Sequence, residues 1–161
     1  MDPTYRALRG DEVEHVKWAL HTAVSWSPER ELPPYEVVID HPKLALYHRN
    51  WGRPGDVGVA AERDGEVLGV ALFRLFTEED HGHGFVDEET PELAIAVADR
   101  DRGNGIGTRL LDEIATAARA QGFSSLSLSV DVENPALRLY ERAGYRELSR
   151  DEGGVLMVLD L

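Results

Sequence analysis

Apolar positions along this chain follow two periods, and each period marks a different kind of element. The first segment, Thr4-Tyr5-Arg6-Ala7-Leu8-Arg9, reads as an edge strand. Val13, Val16, Leu20 and Val24 then recur at helical spacing behind Asp11, which is placed to cap the helix with Glu14 in the capping-box position. Pro28, Pro33 and Pro34 break the pattern, and a weaker helical rhythm (Leu44, Leu46, Tyr47, Trp51) predicts a short helix at about 42–51. Strands are predicted over Val57–Glu62 and Val67–Phe76, joined by Arg63-Asp64-Gly65-Glu66, because Asp-Gly between β-rich runs signals a hairpin. A polar stretch, 77–91, separates these from a strand at Leu93–Val97. A helix follows from about Gly105 to Ala120, with Ile106, Leu110, Ile114 and Ala117/Ala118 inward and Gly122 placed to stop it. Leu126–Val130 is a further strand. Asn134 and Pro135 then suit the start of a last helix. Tyr145–Leu148 and Val155–Leu161 pair as a terminal hairpin around Arg150-Asp151-Glu152-Gly153-Gly154. The order is β-α-α-β-β-β-α-β-α-β-β, with no internal repeat, and it predicts one domain over 1–161.

The densest chemical signal is Arg102-Gly103-Asn104-Gly105-Ile106-Gly107, set between a strand and an amphipathic helix. Alternate glycines let a backbone curl tightly and approach a ligand closely. The helix start presents unpaired N–H groups and the positive end of its dipole, which suits a phosphate or pyrophosphate. A P-loop needs Lys then Ser/Thr after its last glycine, whereas Thr108 and Arg109 follow Gly107. The dinucleotide fingerprint needs G-x-G-x-x-G within repeated βαβ units, and neither is present.

A second segment, Asn134-Pro135-Ala136-Leu137-Arg138-Leu139-Tyr140-Glu141-Arg142-Ala143-Gly144-Tyr145, removes the ambiguity. Together the two resemble the Gcn5-related N-acetyltransferases (the GNAT superfamily). Arg102-x-x-Gly105-x-Gly107 is similar to that family's acyl-CoA signature, and the Asn-Pro-Ala-x-x-Leu-Tyr-x-x-x-Gly-Tyr segment to its following helix and hairpin start. The strong likeness covers roughly 92–147. It implies an α/β (α+β) fold, a mixed, mostly antiparallel sheet flanked by helices. It also implies acetyl transfer from acetyl-CoA, a co-substrate, to an amine by direct attack in a ternary complex, without a metal.

The resemblance assigns roles residue by residue. Backbone N–H groups of Arg102, Gly103, Asn104, Gly105, Ile106, Gly107 and Thr108 would hold the pyrophosphate. Main-chain groups of Ile95, Ala96 and Val97, on a strand that splays from its neighbour in this family, would meet the acyl group, an N–H acting as an oxyanion donor. Asn134 would contact the pantetheine arm while capping its helix. Tyr140 would be the general acid that serves the leaving thiolate, and Glu92 the base, with His83 or a water relay as alternatives. Trp26, Tyr35, Tyr47, His48 and Trp51 fall where the family builds acceptor pockets, or they belong to the core.

Composition bounds the partners. A chain of 161 residues with 42% hydrophobic and 29% charged residues fits one soluble domain, and Met-Asp-Pro-Thr-Tyr has no signal-peptide character, so a cytoplasmic protein without membrane association is expected. With no cysteine there is neither disulfide nor thiolate nucleophile. A net charge of −13 argues against nucleic acid and suits a cationic acceptor, a small-molecule or peptide amine. An anionic CoA needs a locally positive site, for which Arg100, Arg102 and Arg109 flank the glycine turn. From Glu78 to Glu92 there are seven acids and no Lys or Arg, which would either gather a cationic amine or form a solvated loop. His81 and His83 form an H-x-H pair there, a weak metal signal. Family habit implies a homodimer. The rival readings are a non-catalytic acyl-CoA-binding module, another acyl donor such as succinyl-CoA, and a Rossmann-type nucleotide binder.

Overall fold

The computed structural model describes residues 2–152 and 154–161, so Met1 and Gly153 of the expected terminal turn lie outside the described residues. Among these residues seven strands form one sheet: β1 (Thr4–Ala7), β2 (Val57–Arg63), β3 (Glu66–Arg74), β4 (Glu92–Val97), β5 (Ser125–Val130), β6 (Arg146–Asp151) and β7 (Gly154–Asp160). Their order is β1-β2-β3-β4-β5-β7-β6. Neighbours run antiparallel except β4 and β5, which are parallel. Helices α1 (Val13–Val24), α2 (Tyr35–Asp40), α3 (Pro42–His48), α4 (Ile106–Ala120) and α5 (Ala136–Arg142) flank the sheet.

Strand alternation divides the core between the two faces. Ala61, Ala71, Phe73, Leu93 and Ile95 pack with Ile106, Leu110 and Ile114 of α4, whereas Ala60, Val70, Leu72 and Ala96 pack with Val16, Ala19 and Leu20 of α1. Helix α4 buries the stripe its spacing predicts and Gly122 ends it where expected, whereas α1 buries Val16, Ala19 and Leu20 and leaves Val13 and Val24 half-buried.

Several boundaries move for physical reasons. Asp11 does not cap α1. Glu12 stands there instead, its buried carboxylate accepting two bonds from Arg6 (2.8 and 2.9 Å) and one from the Arg9 amide (2.9 Å). Helix α2 follows directly on Pro34, since proline obstructs a helix interior but is tolerated at a helix start. Helix α3 stops at His48 rather than near 51, because Arg49 is extended and Asn50 has φ 56°. Arg74 closes β3 as a fully buried guanidinium that donates to Asp56 (2.7 and 2.9 Å) and to the carbonyls of Leu46 and Arg49. It ties the chain beyond α3 to the sheet. A 3₁₀ turn at Asp99–Asp101, absent from the sequence pattern, links β4 to the glycine turn. None of the described helices is long and apolar enough to cross a membrane.

One feature of the sheet positions the site. Strand β4 pairs with β3 from Arg74↔Glu92 to Gly69↔Val97, and β5 pairs with β7 along its length. Between themselves β4 and β5 pair only at Glu92↔Ser127. The two halves of the sheet then diverge.

Candidate active site

The divergence leaves main-chain groups of β4 facing a gap. The Ala98 amide donates to Leu68 O at 2.8 Å, so by antiparallel alternation Ala94 and Ala96 turn their N–H and C=O toward β3. Leu93, Ile95 and Val97 turn theirs away, toward the gap. Val97 O accepts from Arg102 Nε at 3.1 Å. Past the glycine turn, Gly105 caps α4 with φ 83°, a left-handed geometry that disfavours any Cβ. The first helical bond runs from Arg109 N to Gly105 O, and no side chain caps α4. The N–H groups of Ile106, Gly107 and Thr108 are thus left without helical acceptors at the positive end of the dipole. Gly107 is small for another reason: a Cβ there would sit 3.1 Å from Leu139 Cδ2, where α4 meets α5.

Ile95, Ala96, Val97, Arg102, Gly103, Gly105, Ile106, Gly107, Thr108, Asn134 and Tyr140 all line one cleft of about 790 Å³. Asn104 does not line it, since its amide folds back toward the carbonyls of Asp101 and Arg102 (3.4 and 3.5 Å). Asn134 was expected to cap the last helix; Pro135 stands at the N-cap of α5 instead, and Asn134, one residue earlier, accepts from Ala136 N through its Oδ1 at 2.9 Å. Tyr140 is buried, edge-on to Tyr145 at 6.0 Å between ring centroids, and burial pushes its phenol up to about 12. Among the described residues its hydroxyl has no hydrogen-bond partner, so its donor is free to serve a ligand.

Glu92 is fully buried and does not line the cleft. Its Oε1 accepts from the Tyr47 hydroxyl (2.9 Å) and from Gly84 N (2.9 Å), and its Oε2 from Gly82 N (3.1 Å). Burial raises the Glu92 pKa against the opposing pull of these three bonds and of His81. Tyr47 is pushed well above the ordinary phenol range, first by burial and then by the Glu92 charge. The loop backbone comes so close that a Cβ on Gly82 would lie 2.5 Å from the Tyr47 hydroxyl, and one on Gly84 3.0 Å from Glu92 Oε1. Two pinned amides therefore bracket His83, and His83 lines the cleft. Its sequence partner His81 turns elsewhere, stacked on Phe85 at 4.2 Å with Nδ1 2.7 Å from Gly82 O. The H-x-H spacing thus places the two imidazoles in different surroundings.

A phosphate-ready helix start, a splayed strand pair and a buried tyrosine converge on one cleft, and they lie within the part of the chain that matches a known family. The profile of the Acetyltransferase (GNAT) family matches residues 20–145. The chain belongs to the acetyltransferase (GNAT) family. It is 33% identical over 88 residues to the L-methionine sulfoximine/L-methionine sulfone acetyltransferase of Pseudomonas aeruginosa, a stretch covering 54% of this chain and 48% of that protein. The same enzyme of Pseudomonas paraeruginosa matches with the same identity and coverage, so the match spans about half the length of these curated relatives. Among solved structures, the PaiA N-acetyltransferase of Thermoplasma acidophilum in complex with coenzyme A superposes with a TM-score of 0.74 at 16% identity over 100% of both chains. The ribosomal-protein-alanine N-acetyltransferase of Brucella melitensis gives 0.68 at 24% identity, covering 98% of this chain and 99% of that one. At these identities the structural likenesses establish the fold.

Charges around this GNAT cleft are arranged differently from the sequence expectation. Arg100 pairs with Glu66 and Asp101, and Arg109 pairs with Glu113 (2.8 Å) and lies over the Tyr5 ring. Of the three flanking arginines, Arg102 lines the cleft. Glu78, Glu79, Asp80, Asp87, Glu88 and Glu89 are exposed, and none of them lines it. Of the aromatic candidates, Trp26 and Tyr47 line it. Tyr35 packs on His21, His48 Nε2 lies 2.9 Å from Ile39 O, and Trp51 lies beside the Arg74 guanidinium. Sequence reasoning missed the Tyr47–Glu92 pair and the role of Gly82 and Gly84. The alternating glycines of His81-Gly82-His83-Gly84 were the available signal for a close backbone approach.

Proposed function

We propose that this chain transfers the acetyl group of acetyl-CoA to a primary amine by direct attack in a ternary complex. The observation that carries this reading is the single β4–β5 register position, beyond which the Ile95 and Val97 main chain faces a cleft bounded by the uncapped start of α4 and by Tyr140. The residues present suit the co-substrate: three free N–H groups and Arg102 for its pyrophosphate, and a strand edge for its amide-bearing arm. When bound, acetyl-CoA supplies a thioester carbonyl open to attack by an amine.

The chain's own groups do the rest. The Val97 or Ile95 N–H polarises the carbonyl oxygen, with no reorganisation needed as charge develops there. Tyr140, which stays protonated with its pKa near 12, donates a hydrogen bond to the departing sulfur and then its proton. Glu92 is the terminal proton acceptor. Because it is walled off, the ammonium proton reaches it through Tyr47, whose hydroxyl passes its own proton to Oε1 as it takes the substrate's. A second reading makes His83 the base, because it faces the cleft directly and its flanking amides are held by Glu92.

Thiol release from acetyl-CoA against a panel of amines tests all of this. Tyr140→Phe is expected to lower kcat by about 10²-fold or more with little change in the KM for acetyl-CoA. Tyr47→Phe lowers kcat if the relay to Glu92 operates, and His83→Ala does so if the imidazole is the base. Under the relay the acid limb of the kcat profile lies above the range of an ordinary carboxylate, since burial raises Glu92 and the base must be ionised. Stabilisation by acetyl-CoA with no turnover of any amine would instead favour a binding module.

A further inference from the structure

The acceptor wall of the cleft is cationic in a protein whose net charge is −13. On the acyl-CoA side the positive groups are the start of α4 and Arg102, the latter paired with Asp99 (2.8 Å). The start of α3 contributes His41 and Lys43 to the lining, and the chain after α1 contributes Arg30, which faces Asp131. The two carboxylates that line the cleft are both engaged. Asp101 meets Arg63 (3.0 Å) and Arg100 (3.4 Å), and Asp131 accepts from Glu133 N (2.8 Å) and faces Arg30 (3.8 Å).

The cations are not neutralised to the same degree. Lys43 Nζ donates to a neutral group, the carbonyl of His81 (2.9 Å), so its full charge and two further N–H groups remain. That bond also ties Lys43 to the loop that presents His83 and whose Gly82 and Gly84 amides donate to Glu92. His41 accepts the Lys43 amide at Nδ1 (3.1 Å), which leaves its Nε2–H as a donor on the same wall. Arg30 stands beside Trp26, 5.8 Å from the ring centroid. A bare polyamine would meet repulsion here, and the acids that were placed to attract it lie outside the cleft.

We infer that the acceptor is an acidic amine, a small molecule that carries a carboxylate or phosphonate as well as the amino group to be acetylated, with Lys43 holding the anionic group and His41 and Arg30 supporting it. This inference rests on the acetyltransferase reading above and adds the acceptor's second functional group. Lys43 acts here as a specificity residue for the acceptor and has no part in holding acetyl-CoA.

Steady-state turnover at saturating acetyl-CoA on matched pairs tests it: an α-amino acid against its carboxamide, an aminoalkylphosphonate against the parent alkylamine, and spermidine as a polycation. The acidic member of a pair is expected to exceed its neutral partner in kcat/KM by at least about tenfold, a preference that shrinks as salt screens the contact. Lys43→Met should remove most of that preference through the acceptor KM and leave the acetyl-CoA KM unchanged, and Lys43→Arg should restore it. Equal or better use of the carboxamide, the alkylamine or spermidine would overturn the inference and leave the acetyltransferase reading standing. So would a Lys43→Met effect confined to the acetyl-CoA KM, which would assign the lysine to a CoA phosphate. Failure of every amine, with acetyl-CoA still protecting the fold, would overturn the underlying reading and this inference with it.

Discussion

Glu92 shows how a single residue changes meaning between sequence and structure. Its position just after Pro91, at the head of the strand before the glycine turn, made it the candidate base by family resemblance. Its surroundings come from elsewhere: Tyr47, 45 positions earlier, and the amides of Gly82 and Gly84. A buried carboxylate with three donors is a scaffold for the loop as much as a proton acceptor. Gly82 is the sensitive point, since an added methyl meets the Tyr47 oxygen at 2.5 Å. Gly82→Ala is expected to destabilise the fold by about 1–3 kcal/mol through overpacking. It should also lower kcat more than it raises the KM for acetyl-CoA, because the residues proposed to hold CoA lie on other elements. Thermal melts and steady-state kinetics check both parts, and an unchanged kcat would show that neither Tyr47 nor His83 handles the proton.

At the level of elements, β1 and α1 are joined by charge where a simple cap was expected. Arg6 grips Glu12 with two bonds, and that contact, reinforced by the Arg9 amide, holds the Glu12 carboxyl down at about 2. A lowered folded-state pKa means that the ionised form favours folding. The stabilisation is therefore complete above the ordinary carboxyl value of 4.5 and is lost as pH falls toward about 2. Glu12→Gln should cost about 1–3 kcal/mol at neutral pH, as expected when a charge-assisted bond is weakened. Denaturant melts of wild type and variant should converge as the pH is lowered through that window. The same segment shows the limit of periodicity, because Asp11 and Glu14 satisfy the capping-box spacing and yet Arg6 decides which acid is used. Helix α2 was missed for a comparable reason, since a Pro-Pro pair that disrupts helix interiors stands just ahead of its first turn.

For the whole molecule, the sheet is two ladders hinged at Glu92↔Ser127, and a ligand in the opening contacts both. Acetyl-CoA at about 100 times its Kd should therefore stabilise the protein by about 2.7 kcal/mol, read as a rise in Tm. Gly105→Val, which forces a β-branched residue into φ 83° at the start of α4, should lower the Tm of the free protein and abolish most of the ligand-induced rise. A variant that keeps the full rise would remove the glycine turn from the binding site. The charge distribution belongs to this scale too. The acids of the 77–91 loop are exposed outside the cleft, whereas Arg30, Lys43 and Arg102 line it, a distribution that net charge alone does not report.

Local rules made much of this protein legible without coordinates. Turn glycines, the Asn-Pro helix start, the Asp-Gly hairpin and the stripes of α1 and α4 depend on neighbours a few residues apart, and a sequence states those directly. Eleven of the thirteen candidate site residues line the cleft because they sit on such elements. The tertiary structure decided what depends on distant parts of the chain: where β4 leaves β5, which β4 amides face the gap, and which carboxylates are buried, paired or turned to solvent. Burial and partner identity are sums over neighbours from every element packed around a group. That is why Glu92 and Asn104 could be found by position, while their surroundings, and those of Tyr47, His83 and Lys43, emerged only from the folded chain.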